Sequence, residues 1–334
     1  MLKDAEPIME VVFITGVSAF SKVSLFSDLN NLTNLTIDPI AGTLTGITER
    51  ELEANFGSRL DELSRSREQV REWYNGYNWL GEARVYNPWS VLTYLKTGEL
   101  DNYWIQTGTP TFLTKLMTLG GEYDVAGTPA SAHTLTSLDL AHIPPAQLMF
   151  QTGYLTIRER GPMPGSYLLD YPNVEVKGAF LDALLDAYRP ADNWGSTNQL
   201  SRLRTVLGSG DAEGLIAFTD ALFAAVPYEL WQRQTEAFYH AILHTAFTLL
   251  GVYFQSEVSV ANGRADVLAE MGDFVWALEF KLDRPAAEAL AQIEDRDYLG
   301  KYAGSGKQLI AMGISFSSAE RKVAEWEVKR TPQT

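Results

Sequence analysis

The stretch GRADVLAEMGDFVWALEFKLD, residues 263–283, constrains what this chain can fold into more than any other part of it. Gly272-Asp273 interrupts two apolar, alternating runs, and a two-residue break of this type makes a β-hairpin. The loop sets Met271 opposite Phe274 and thereby fixes every later pair. Asp266 falls across from Glu279, and Arg264 across from Lys281. Side chains alternate along a strand, so these four share one face. Ala265, Val267, Ala269 and Met271 share the other with Phe274, Trp276, Leu278 and Phe280. A slip of one residue would destroy that sorting.

Two carboxylates directly opposite stand about 4.5–5.5 Å apart at Cβ and repel each other. A divalent cation between them removes the conflict. Mg2+ is held by one or two carboxylates together with waters and phosphate oxygens. Lys281 projects beside the pair, where it can help deprotonate a water or offset phosphate charge. That set of groups suits phosphodiester hydrolysis. An exposed ion-pair face of little energetic consequence accounts for the same residues, so spacing alone leaves both readings open.

Around the hairpin the pattern gives a compact α/β unit from Glu229 onward. A helix over Glu229–Leu250 ends at Gly251. Strands follow at Val252–Val260, Arg264–Met271 and Phe274–Leu282. Asp283 caps the next helix, with Pro285 in its first turn. Another strand covers KQLIAMGISF, and a closing helix covers Ser318–Lys329.

Upstream, the run IMEVVFITG reads as a buried, parallel strand ending at Gly16. Helices are expected near Thr48–Phe56, where Thr48 and Glu51 form a capping box, and over Arg59–Tyr74. An aromatic stretch follows, with turns at its Asn-Gly and Asn-Pro steps, then a helix after Pro110. A looser stretch at Gly120–Ser137 marks a boundary. GYLTIRER and SYLLDYP flank GPMPG as a hairpin, which with the preceding helix suggests a winged-helix-like unit. Helices continue from Val176 to Ala225. The divisions expected are 1–130, 131–225 and 226–334.

With 46 % hydrophobic and 21 % charged residues the chain can build several cores. It has no cysteine, which removes disulfides and thiolate metal sites. No apolar run approaches the roughly 20 residues of a spanning helix, and the N-terminus lacks a basic leader, so a cytoplasmic protein without membrane contact is expected. The net charge of −15 runs against strong nucleic-acid binding. The acidity is uneven: residues 226–334 hold 11 Lys+Arg against 15 Asp+Glu, and the rest hold 16 against 27.

The combination GRADVL…WALEFKL, with its surrounding order of elements, resembles the PD-(D/E)XK nuclease-like domain over residues 226–334. The resemblance implies an αβββαβ restriction-endonuclease-like fold and a metal-dependent nuclease, with Mg2+ or Mn2+ as cofactor and DNA as substrate. It assigns Asp266, Glu279 and Lys281 to the catalytic set. It adds Glu236, on the preceding helix, as a metal ligand, and Gln292, on the following helix, as a polar contributor.

FITGVSAFSKVSLFSDLNNLTNLTIDP, WYNGYNW, VYNPWSVL and NYWIQTGTPTFL resemble the later part of an AAA-ATPase-like family commonly fused to such a domain. That family begins with a phosphate-binding loop, and none is present here. The resemblance therefore implies an incomplete ATPase region with a helical lid. ATP would not bind to the chain alone, and a second chain or a further N-terminal segment would complete the sheet. The alternative function is an ATPase-family protein whose nuclease-like domain only binds nucleic acid or protein.

Other stretches read as structural. GSGKQ at 304–308 lacks phosphate-loop spacing and precedes a strand, so it is a turn. His240 and His244 read as helix packing rather than a metal pair. Thr15 and Ser18 follow a strand end, and Trp73, Tyr74, Tyr77 and Trp79 read as core of the lid rather than as base-stacking platforms.

Overall fold

A computed structural model describes residues 10–13, 15–16, 33–105, 110–120, 125–136, 144–188, 195–228, 230–233, 235–254, 257–259 and 266–331. The chain divides into two compact units, one of Met1–Thr109 with Val125–Ala179, the other of Pro110–Asp124 with Phe180–Thr334.

The first unit begins with a two-residue strand β1 (Ile47–Thr48) and helix α1 (Glu49–Glu62). The expected capping box is present: the Glu51 amide donates to Thr48 Oγ1 at 3.2 Å, and the Thr48 amide donates to Glu51 Oε2 at 2.9 Å. A second box, Ser66 with Gln69, starts helix α2 (Arg67–Tyr74). It divides the helices at 63–66, later than the break the sequence suggested. β2 (Val85–Tyr86) pairs with β1, and α3 (Pro88–Thr97) starts on the Asn87 side chain with Pro88 in its first turn. Tyr74, Tyr86, Tyr94 and Tyr103 close over Leu52, Leu60 and Val70, with Trp73 packed alongside. The aromatic stretch thus supplies core through Tyr74, Tyr86 and Tyr94, while Trp89 stays exposed. Gly76 takes φ +130°, and a Cβ there would collide with the Pro172 carbonyl; only glycine permits both.

Helix α4 (Thr111–Gly120) follows in the chain and belongs to the second unit. The first unit resumes with β3 (Thr128–Ser131), α5 (Ala132–Thr136), α6 (Pro145–Gln151), β4 (Thr156–Arg160) and β5 (Ser166–Asp170). The expected hairpin around GPMPG is β4–β5, in a sheet ordered β3-β5-β4. The aromatic face of Trp79 packs edge-on against Phe150 at 5.3 Å between ring centroids.

Helix α7 (Val174–Tyr188) spans the division, and α8 (Gly195–Gly208), α9 (Ala212–Ala224) and α10 (Glu236–Phe254) lead into the sheet of the second unit. Gly251 does not end α10, which runs on to Phe254. β6 (Glu257–Ser259), β7 (Val267–Met271) and β8 (Phe274–Leu282) are antiparallel neighbours. After α11 (Ala286–Asp295), β9 (Gln308–Ser317) pairs parallel to β8, and β10 (Lys322–Thr331) closes the order β10-β9-β8-β7-β6. The expected register holds: Met271 pairs with Phe274, Ala269 with Trp276 and Val267 with Leu278. Arg264, and with it the pairing to Lys281, lies outside the described residues.

Of the two readings left open for the charged face of β8, the exposed one fails, and three expectations are corrected. The charged face of β8 is not open to solvent: α11 covers it, packing Ile293 against Ala277 and Ala311. The opposite face carries Trp276, whose indole N–H donates to the Leu207 carbonyl at 2.9 Å. β8 is thus buried on both faces, as a strand with a parallel neighbour usually is. Ser318–Lys329 is not a helix, because β10 pairs along the length of β9. Asp283 does not cap α11: it sits at φ +52° and accepts from the Ser318 amide at 2.9 Å. Among the run IMEVVFITG, the described residues 10–13, 15 and 16 form no strand, and Val11 is 85 % and Phe13 63 % exposed. Apolar character alone does not make a strand where no ladder satisfies its backbone. Ser18 lies outside the described residues, and Thr15 is exposed.

Candidate active site

The site forms at the end of the β7–β8 ladder, where three elements meet. Asp266 lies one residue before β7 and Glu279 in the middle of β8. The Phe280 amide donates to Asp266 Oδ2 at 2.7 Å, and the Asp266 amide donates to Glu279 Oε2 at 3.3 Å. The hairpin register thus puts the two carboxylates together, as the sequence predicted. Lys281, two residues on, shares Glu279's face; its Nζ lies 3.2 Å from Glu279 Oε1 and donates to Gln292 Oε1 at 3.0 Å. The Gln292 amide, from α11, also donates to Glu279 Oε1. Glu279 is 2 % and Lys281 8 % exposed, so this is a desolvated ion pair, costly to assemble unless well bonded.

Helix α10 supplies the third side. Glu236 is its first residue, and His240 stands one turn on. His240 Nδ1 lies 3.6 Å from Asp266 Oδ1, and its Nε2 lies 3.7 Å from Glu236 Oε1. The helix-packing reading of His240 was therefore incomplete. The signal that could have found it is the spacing of four to Glu236, which puts both on one helix face. The Nδ1 of His244 faces the Thr248 hydroxyl at 3.4 Å.

Burial dominates the electrostatics. It pushes the Asp266 carboxyl up to about 6, against the pull of the Phe280 amide and Lys281. It also raises Glu279, with the Asp266 charge adding to the effect and Lys281 opposing it. Burial lowers His240, although Glu236 and Glu279 pull the other way.

Among the described residues, no three His, Asp or Glu side chains are grouped so that they could hold a metal ion by themselves. Two hard carboxylates do converge, each disfavoured as an anion by burial. That donor set fits a divalent cation in kind, with the remaining positions left to waters and phosphate oxygens. Glu279 Oε1 is already committed to Lys281 and Gln292, while Oε2 accepts the longer bond from the Asp266 amide. GSGKQ forms the turn expected, with Gly304 and Gly306 at positive φ and the Lys307 ammonium paired with Glu270.

Residues 234–326 match the PD-(D/E)XK nuclease superfamily. The C-terminal domain is thus of that superfamily, and the match takes in Glu236, His240, Asp266, Glu279, Lys281 and Gln292. It does not extend to the N-terminal region. Along almost its full length the chain is also similar to a protein of Azotobacter chroococcum mcd 1 described as an "uncharacterized protein in vnfD 5'region", with 36 % identity over 341 residues. The alignment takes in 98 % of this chain and 65 % of that protein, so the chain spans less than two thirds of its relative. No solved structure matches. No helix among the described residues is long and apolar enough to cross a membrane.

Proposed function

We propose that the C-terminal domain is a Mg2+- or Mn2+-dependent nuclease that hydrolyses DNA phosphodiester bonds. The observation that carries this reading is the convergence of Asp266, Glu279 and Lys281 through one hairpin register within a superfamily of nucleases. Asp266 and Glu279 would hold the cation, with Glu236 beyond His240. When bound, the cation would polarise the scissile phosphate and lower the pKa of the attacking water. Lys281, held by Gln292, would orient that water and offset charge on the phosphate. Gln292 keeps the ammonium and the Glu279 carboxylate aligned. Burial under α11 excludes bulk water and strengthens each of these interactions.

One observation favours a second reading, a domain that binds without cutting. Glu279 is buried, with Oε1 satisfied by both Lys281 and Gln292, so cation binding must compete with an existing network. The net charge of −15 also gives no general attraction to nucleic acid. The N-terminal region we read, from its motifs, as ATPase-like but without a phosphate-binding loop, so ATP binding by this chain alone is not expected.

The test is cleavage of supercoiled, linear and single-stranded DNA by the full chain in Mg2+ or Mn2+. Metal-dependent nicking that disappears in both Asp266→Ala and Glu279→Ala supports the nuclease. DNA binding with no cleavage in either metal supports the second reading.

A further inference from the structure

We propose that His240 is a positioning residue of this site: it aims the Asp266 carboxylate and couples it to Glu236, without itself binding metal. The inference rests on the metal-dependent reading above. Asp266 precedes the β7 ladder, so no strand pairing of its own residue fixes its side chain. One oxygen is held by a main-chain amide, Phe280 N–H to Oδ2 at 2.7 Å. The other, Oδ1, faces the His240 ring at 3.6 Å from Nδ1. A carboxylate anchored at one oxygen still swings about its Cβ–Cγ bond, and the imidazole is what limits the swing.

The ring is itself backed by the hairpin. It packs edge-on against Phe280, with centroids 6.0 Å apart and planes at 89°. One residue therefore anchors both partners, Asp266 through its amide and His240 through its ring. The second ring nitrogen, Nε2, is buried without a hydrogen-bond partner among the described residues and stands 3.7 Å from Glu236 Oε1. Both nitrogen–oxygen distances exceed a hydrogen bond, so the ring sits as a wedge between a helix carboxylate and a hairpin carboxylate. A small rotation brings an N–H to either one. Groups that orient a metal-binding carboxylate or histidine from behind are typically worth 10–100-fold in affinity.

The test is Mn2+ titration of the full chain, followed by electron paramagnetic resonance, for wild type, Asp266→Ala, His240→Ala and His240→Gln. Expected are loss of binding in Asp266→Ala, about tenfold weaker binding in His240→Ala, and recovery of most of that loss in His240→Gln, whose amide can still donate. Pulsed spectra of wild-type bound Mn2+ should show no directly bonded nitrogen, and the unfolding midpoint of His240→Gln should equal that of wild type. Wild-type affinity in His240→Ala, with binding lost in Asp266→Ala, overturns the positioning role and leaves the metal site intact. A directly bonded nitrogen also overturns it, making His240 a ligand. Equal weakening in both His240 variants, together with lowered midpoints, assigns it to plain packing. Absence of Mn2+ binding in wild type overturns the metal-dependent reading itself and the inference with it.

Discussion

The amide of Asp266 donates to Glu279 Oε2 at 3.3 Å, and the amide that follows Glu279 donates back to Asp266 Oδ2 at 2.7 Å. Each carboxylate thus accepts from a main-chain amide at or next to the other acid. The two acids cannot drift apart to relieve their repulsion, and part of that conflict remains as a raised pKa at Glu279. A site that holds two acids together under burial, with one ammonium between them and the following helix, gives up stability for function.

Asp266→Asn separates the two effects. The amide oxygen still accepts from Phe280, but the charge is gone. We expect divalent-metal binding by calorimetry to be lost while the thermal midpoint is not lowered. A clear drop in the midpoint would mean that the Asp266 charge stabilises the fold, contrary to the electrostatics above.

Lys281→Met should act in the opposite sense on stability. It leaves Glu279 buried beside Asp266 with its ammonium partner removed, and breaking a buried pair from one side costs about 3–5 kcal/mol. Urea unfolding at pH 8 should show a loss of that order, partly restored by millimolar Mn2+. Cleavage should vanish while metal binding persists. Unchanged urea stability would show that water already screens the pair.

Gly313 tests how α11 is seated. It pairs with Glu279 across the parallel β8–β9 ladder. A Cβ there would meet the Ala286 carbonyl and lie 2.7 Å from the Leu290 amide, both main-chain atoms of α11. Gly313→Ala must therefore displace the helix that carries Gln292. Overpacking of this kind costs about 1–3 kcal/mol. The expected result is lower stability together with weakened metal binding, although no site residue has changed; a variant with wild-type stability and affinity would show that α11 shifts freely.

The parts legible in the sequence were those set by local chemistry. Gly272-Asp273 fixed the β7–β8 register, Thr48 and Glu51 fixed the start of α1, and GPMPG fixed the β4–β5 loop, because each is decided within a few residues. β10 was not legible. Val323, Trp326 and Val328 fit neither period cleanly, the ladder has an irregularity between Val323 and Glu325, and the strand exists because β9 pairs with it. Asp283 has the chemistry of a helix cap, but its backbone turns left-handed and directs the carboxylate to Ser318. The burial of Glu279 depends on where α11 lands, and His240 reaches Asp266 only through tertiary packing.

Glu175, at the start of α7, is fully buried, and burial pushes its carboxyl up to about 7 against the Trp104 amide, the Ser90 hydroxyl and the Tyr103 amide. The Trp104 amide donates to Oε1 at 2.9 Å, while Oε2 is buried with no hydrogen-bond partner among the described residues. The folded state therefore binds this proton more tightly than the unfolded state, whose carboxyl titrates near the ordinary value of 4.5. The contribution is present in full below about pH 4.5 and is lost as pH rises through about 7. The difference corresponds to about 3 kcal/mol. Glu175→Gln keeps the shape and removes the titration, so its unfolding midpoint should exceed that of wild type at pH 8 and approach it at pH 5. Denaturation series across that range provide the measurement. A wild type whose first unit grows more stable from pH 5 to pH 8 relative to Glu175→Gln would mean that Glu175 is ionised in the fold and paired with a cation the geometry does not place there.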